Sequence, residues 1–370
     1  WAGDAAAMLD RRGHDPRQTA RYLYNLGSLH QRTGRYAEAE ADLRRAAELW
    51  GESLGPEHLS TARAYTALGD TLAREGELDE ALAALGRALA IQEAVLGPEH
   101  PSVGTSRTNL GNAYEAAGRY AEALAQHEQA LAIHERALGP EHPTVATSRT
   151  NLGVVLLGQG RLPEAAAQFR RAIEIRERAQ GPAHPDLSDP VIDLGNVFFA
   201  EARYAEAEAQ YRRALAIDLR ALGPAHPNVA MTRNNLGTAL WRLRRLDEAE
   251  RELEQALADM RSSLGVRHGS CAAPLHTLGE IALDRGRPGE ARPRLLEAEA
   301  LAAETWPAAD LARMRFALAR ARWELGEDRP AARALAEASA LAIATGGSRF
   351  EADATRANEW LAAHPAEPPP

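Results

Sequence analysis

Apolar and small residues return along this chain at one fixed interval. The pair Leu-Gly stands at Leu26-Gly27, Leu68-Gly69, Leu110-Gly111, Leu152-Gly153, Leu194-Gly195, Leu236-Gly237 and Leu278-Gly279, forty-two residues apart each time. Leu318-Ala319 continues the series after a step of forty. A period of this length means a stack of like supersecondary units, none of which can bury its apolar face alone.

The stretch from Pro101 to Gly139 shows what each unit is. Proline suits the first turn of a helix, where its missing N–H would lack a partner anyway. Val103, Leu110, Ala113 and Tyr114 then fall at helical spacing and predict a helix A over 102–117. Gly118-Arg119-Tyr120 breaks it, glycine being what a left-handed C-cap favours. A helix B over 121–138 carries Ala123, Ala130, Leu131 and Ile133 on one face, and Gly139-Pro140 stops it. Gly111 and Ala123 are small where the two helices must approach closely. So short a loop makes the pair antiparallel. The turn returns as Gly34-Arg35-Tyr36, Gly160-Arg161-Leu162 and Ala202-Arg203-Tyr204, and the small residue of helix B as Ala39, Ala81, Ala165, Ala207, Ala249 and Ala291. The fold predicted is all-α.

Eight such repeats span 16–345, the last pairing Leu318-Ala319 with Ala331. Residues 1–15 read as the end of a truncated preceding repeat and its linker, so the chain is expected to be a piece of a longer protein. A capping helix is predicted over 346–364, with Phe350, Ala354, Ala357 and Trp360-Leu361 on an apolar stripe and a polar opposite face. Residues 365–370 form a Pro-rich tail expected to be disordered.

This pattern resembles the tetratricopeptide repeat (TPR), in the 42-residue variety of kinesin light chains and many bacterial multidomain regulators. The resemblance implies a right-handed superhelical solenoid whose helices A line a concave groove. The C-terminal end, with Ala317-Leu318-Ala319-Arg320-Ala321, Trp323 and Glu359-Trp360-Leu361-Ala362, resembles that of myxobacterial-type serine/threonine protein kinases in which a kinase domain precedes a TPR array. No Gly-rich loop, His-Arg-Asp or Asp-Phe-Gly motif of a kinase occurs in this sequence.

Composition narrows the chemistry. The net charge of −9 argues against general nucleic-acid binding, which needs a basic footprint. Every basic residue among the forty-three is Arg, which excludes a Walker lysine, a Schiff-base lysine and a kinase strand lysine in this segment. Cys271 is alone, so neither an internal disulfide nor a cysteine zinc site is expected. No run of some eighteen apolar residues is free of charge, and Trp1-Ala2-Gly3-Asp4 begins no secretory signal. A cytoplasmic protein is expected, with no membrane, nucleic-acid, cofactor, metal or small-molecule partner.

Candidate ligand-contacting residues come from helix A. Asn25, Asn109, Asn151 and Asn235 each precede the Leu of Leu-Gly, with Asn112 one turn on. The resemblance puts this site on the groove wall, where kinesin light chains and chaperone-binding TPRs hold peptide backbones with asparagine. An amide offers donor and acceptor together. The alternative is local bonding to a neighbouring repeat. Phe199 and Trp241 fall five residues after their Leu and could form an apolar anchor pocket, or pack between helices. Arg107, Arg149 and Arg233, with Arg21, Arg32, Arg63, Arg74 and Arg242, would favour an acidic ligand. Asp70, Glu115, Asp189 and Asp193 are interspersed, which a solvated face also explains.

Two recurring sets are read as structural. The histidines His14, His58, His100, His142, His184, His226 and His268 occur one per repeat, too far apart to converge on a metal. Carboxylate pairs such as Glu38/Glu40 and Glu206/Glu208 recur with the repeat, whereas catalysis needs one irregular constellation. The expected function is a non-catalytic scaffold that binds a protein or peptide segment, an acidic one if the arginines are free. The alternative is the regulatory segment of a serine/threonine kinase.

Overall fold

The computed structural model describes residues 15–303, 306–346 and 350–365. The half-repeat expected over 1–15 therefore lies outside the described residues except for Asp15, and the tail except for Pro365. The chain divides into two compact units, Trp1–Gly181 and Pro182–Pro370. Among the described residues there are seventeen α-helices, two short 3-10 turns and no strand.

The first unit holds four hairpins of a helix A and a helix B: α1 (Pro16–Arg32) with α2 (Tyr36–Leu54), α3 (Leu59–Glu75) with α4 (Leu78–Leu96), α5 (Pro101–Ala116) with α6 (Tyr120–Leu138), and α7 (Pro143–Gly158) with α8 (Leu162–Gln180). The second holds α9 (Ser188–Ala200) with α10 (Tyr204–Leu222), α11 (Pro227–Arg242) with α12 (Leu246–Leu264), α13 (Ala272–Asp284) with α14 (Pro288–Ala302), and α15 (Ala308–Glu324) with α16 (Arg329–Ala344). A last helix, α17 (Glu351–Ala363), follows.

Most helices A start from one device. The Nδ1 atoms of His58, His100, His142, His184, His226 and His268 each accept the backbone N–H two residues on, at 3.1–3.3 Å. Asp15 does the same for Arg17 at 3.0 Å. From His58 to His268 the histidine ladder is thus a ladder of N-caps, each satisfying a donor that a helix start leaves orphaned, and His14 lies outside the described residues. In repeats five and seven a 3-10 turn, Pro185–Leu187 or Gly269–Cys271, precedes the α-helix. Pro190 and Pro274 stand there at the third helical position and cannot donate the i→i−4 bond that would extend the helix backward.

Within each of the first seven hairpins the Leu-Gly glycine admits a side chain of helix B. A Cβ at Gly111 would stand 2.7 Å from His127, and one at Gly153 2.6 Å from Phe169. Opposite lie Ala39, Ala81, Ala123, Ala165, Ala207, Ala249 and Ala291, all fully buried. The eighth repeat corrects the pairing expected of Ala331, since Ala332 is the buried residue and Ala331 is exposed. Its turn, Gly326-Glu327-Asp328, holds one residue more than Gly118-Arg119 before helix B begins, so the register moves on by one.

Polar rungs join successive hairpins. Ser106 donates to Gln92 Oε1 at 2.5 Å, His134 Nδ1 meets Ser148 at 2.8 Å, and Thr232 donates to Asp218 Oδ2 at 2.9 Å. Helices A also touch the next helix A: α1 meets α3, α3 meets α5 and α5 meets α7 in the first unit, and α11 meets α13 and α13 meets α15 in the second. Each unit thereby presents a wall of helices A.

Candidate functional site

That wall carries the side chains the core does not use. Asn25 is exposed on α1, Asn112 is exposed on α5, and Asn109 and Asn151 are half-buried on α5 and α7. None of these four amides makes a side-chain hydrogen bond among the described residues, in contrast to Ser106 and Ser148 on the buried sides of α5 and α7. Asn109 lines a hollow of about 360 Å³ that reaches across three helices A, from Tyr24 and Ser28 through Thr66 and Asp70 to Thr105. Asn25 borders a second hollow of about 350 Å³ with Arg21, Tyr24 and Arg63. In the other unit, Asn235 lines one of about 510 Å³ beside Met231, Met260 and Trp306, and its Oδ1 accepts a long 3.4 Å bond from Asn234.

The three arginines singled out beside these amides have internal partners. Arg107 pairs with Glu93 of the preceding helix B and donates to Gln126 of its own at 2.9 Å. Arg149 repeats this with Glu135 at 2.5 Å and Gln168 at 2.8 Å. Arg233 pairs with Glu252 at 2.7 Å. Each is a half-buried clamp between helices, its charge already matched. Arg21 and Arg63, one repeat apart at the same position, pair with no carboxylate among the described residues, and Arg63 stacks over Tyr24 at 5.2 Å.

The aromatic pair is divided between two packing roles. Trp241 is 5% exposed, and its indole N–H donates to Asp284 of the next helix A at 2.8 Å. Phe199 is half-buried and meets Tyr204 edge-on at 5.2 Å, at the turn of its own hairpin. The recurring carboxylates form ion pairs along helices B, as when Glu208 takes Arg212 and Arg245, each at 2.8 Å.

Burial sets the protonation of several groups. It pushes Asp70, on the rim of the larger hollow of the first unit, up to about 6, opposed by Arg74. It also raises Glu115. His127, packed on Gly111 with neither ring nitrogen bonded, is pushed down to about 4. Among the described residues no group of three or more His, Cys, Asp or Glu is placed to hold a metal ion, and no helix is long and apolar enough to cross a membrane.

One set escaped the sequence reading. Glu280 on α13 is 4% exposed and meets Arg320 of α15 at 2.9 Å and Arg356 of α17. Burial would raise its carboxyl, but the two guanidinium groups outweigh it and hold it down at about 2. A signal existed: Glu280 is an acid inside the run Leu278-Gly279-Glu280-Ile281-Ala282-Leu283, where every neighbour is apolar.

Comparison with known proteins agrees with this architecture. A family model for the tetratricopeptide repeat matches residues 18–94, 67–136, 102–178, 189–262 and 231–304. Among solved structures, a Podosopora anserina protein of nearly identical TPR-like repeats, provisionally termed a kinesin light chain, shares 28% identity over 56% of this chain and 98% of its own, with a TM-score of 0.48. A tetratricopeptide repeat protein from Parabacteroides merdae shares 16% identity over 82% of this chain and 99% of its own, TM-score 0.56. The apo form of RapI shares 15% over 77% and 99%, TM-score 0.59. These last two likenesses are of fold alone. No curated protein matches.

Proposed function

Because the chain belongs to the tetratricopeptide repeat family, whose members generally mediate protein–protein interaction, we propose that it is an interaction module taking a peptide or protein segment on its wall of helices A. The observation that carries this reading is the row of amides at Asn25, Asn109 and Asn151, at one repeat position and without side-chain partners among the described residues. An unpaired amide beside a hollow can both donate to and accept from an extended backbone, and it does so without regard to side-chain sequence. Arg107, Arg149 and Arg233 hold the wall together, so affinity for an acidic ligand comes from other arginines of helices A, of which Arg21 and Arg63 border a hollow. The module itself has no catalytic part in this reading.

The test is a double variant, Asn109→Ala with Asn151→Ala, compared with the parent chain in pull-downs from the native organism and then by calorimetry with the captured partner. Binding weakens by about tenfold or more while the melting temperature holds. Unchanged affinity removes the amide clamp.

A further inference from the structure

Helix α17 does more than close the last hairpin. Its apolar side, with Phe350 before it, packs Ala357 against Ala312 and Phe316 of α15 and Ile343 of α16. Two of its polar side chains face back across the wall, while Glu351, Thr355, Asn358 and Glu359 are exposed. Asp353 meets Arg313 of α15 at 2.9 Å and Arg242 of α11 at 3.5 Å, while Arg356 reaches Glu280 of α13. The gap left among Trp241, Glu280, Phe316, Asp353 and Arg356 is about 10 Å³, at the lower limit for a single water.

The same wall is open in the first unit. Asp70 holds the repeat position of Glu280 five periods earlier, yet it is only half-buried and borders a hollow of about 360 Å³. What differs is the covering helix. That helix is less deeply packed than a helix B, since Ala357 is its one buried residue, against six in α10. Besides its ion pairs it is held by Trp360, which meets Phe316 at 5.8 Å and Trp323 at 5.7 Å edge-on. It is covered on one side alone, with Glu351, Thr355, Asn358 and Glu359 exposed on the other, and such terminal elements open before the hairpins they cover.

We propose that the wall formed by α11, α13 and α15 is a helix-receiving site whose resting occupant is α17. Its external ligand is an amphipathic helix with an acid, an arginine three residues on and an aromatic four beyond that, the spacing of Asp353, Arg356 and Trp360. The acid engages Arg313 and Arg242, and the arginine engages Glu280. The inference rests on reading helices A as the binding surface and extends it to the second unit, where the site opens by exchange of one helix for another.

The experiment uses the full chain and a labelled synthetic peptide of residues 350–365. In the variant Asp353→Arg with Arg356→Glu, like charges face Arg313 and Glu280 and the resident helix is weakened. The peptide binds this variant at least about tenfold tighter than the parent chain, because the competing intramolecular helix is gone. Adding Glu280→Gln to the variant reverses the gain. Equal or absent binding to both chains overturns the proposal. Hydrogen exchange on the unmodified chain reads it independently of any variant's folding: α17 exchanges faster than α15 and α16, and equal protection of all three overturns it. Asn109→Ala with Asn151→Ala leaves peptide binding unchanged, so failure of the amide clamp and failure of this site are told apart.

Discussion

Gly111 and His127 form one contact surface, in which the imidazole occupies the space a side chain on the glycine would need. A Cβ there would stand 2.7 Å from Cε1 and 2.8 Å from Nε2. The ring is fully buried and cannot swing into solvent, so Gly111→Ala must push the two helices apart. Overpacking of this kind costs about 1–3 kcal/mol. Denaturant melts of Gly111→Ala and Gly153→Ala should both show it, and an unchanged midpoint would mean that the hairpin is looser than its contacts imply.

Acid should loosen the protein through the same histidine. His127 and His276 are both held neutral to about pH 4 by burial. In the unfolded chain each takes up a proton near its ordinary 6.5, so stability falls as pH drops from 6.5 toward 4. For His127 the loss is about 3 kcal/mol in full. Asp70, raised to about 6, works in the opposite direction over the same range. His127→Phe, which copies Phe169 of the next repeat, should therefore flatten the pH dependence of the urea midpoint between pH 7 and 4. A slope equal to the parent's would assign the acid loss elsewhere.

The cap histidines make a sharper case. His100 supplies a lone pair to the N–H of Ser102 at 3.2 Å. Truncation by His100→Ala should cost about 1 kcal/mol, and His100→Asp, the residue that Asp15 provides in the first repeat, should restore it. Neither zinc nor a chelator should move the melting temperature, and a zinc-dependent rise would return the ladder to metal chemistry.

Ala202 holds φ +57°, where the corresponding turns have Gly118 and Gly160. A Cβ is costly in that region, so Ala202→Gly should raise stability by about 0.5–1 kcal/mol despite the extra freedom glycine gives the unfolded chain. A lower melting temperature would show that the turn is not strained.

The repeat was legible because its signals reinforce one another seven times over, and a period survives substitutions that would blur any single helix. Hence α5 and α6 lie within a residue of where spacing alone puts them. Ala331 misled because one added turn residue, Glu327-Asp328 in place of a single arginine, is invisible to a count made from Leu318. The arginines misled for a different reason. Arg107 looks free on its own helix, and its partners Glu93 and Gln126 come from two others. The same offsets link Arg149 to Glu135 and Gln168, so the clamp was written in the spacing, but only the packed helices reveal which residues those offsets bring together. Trp241 was ambiguous until Asp284 claimed its indole N–H. On α17 the exposed Glu351, Thr355, Asn358 and Glu359 form the polar face expected, whereas the inward turn of Asp353 and Arg356 could not be read without knowing where Glu280 lay.

The rungs between hairpins differ in kind: Gln92 with Ser106, His134 with Ser148, Asp218 with Thr232. Each nonetheless pairs a helix B group with a hydroxyl of the next helix A, fourteen residues on. A hairpin that slid along its neighbour would leave that group unanswered in a dry place, although its oily face would still be covered. The rung thereby sets the depth at which one module seats on the next.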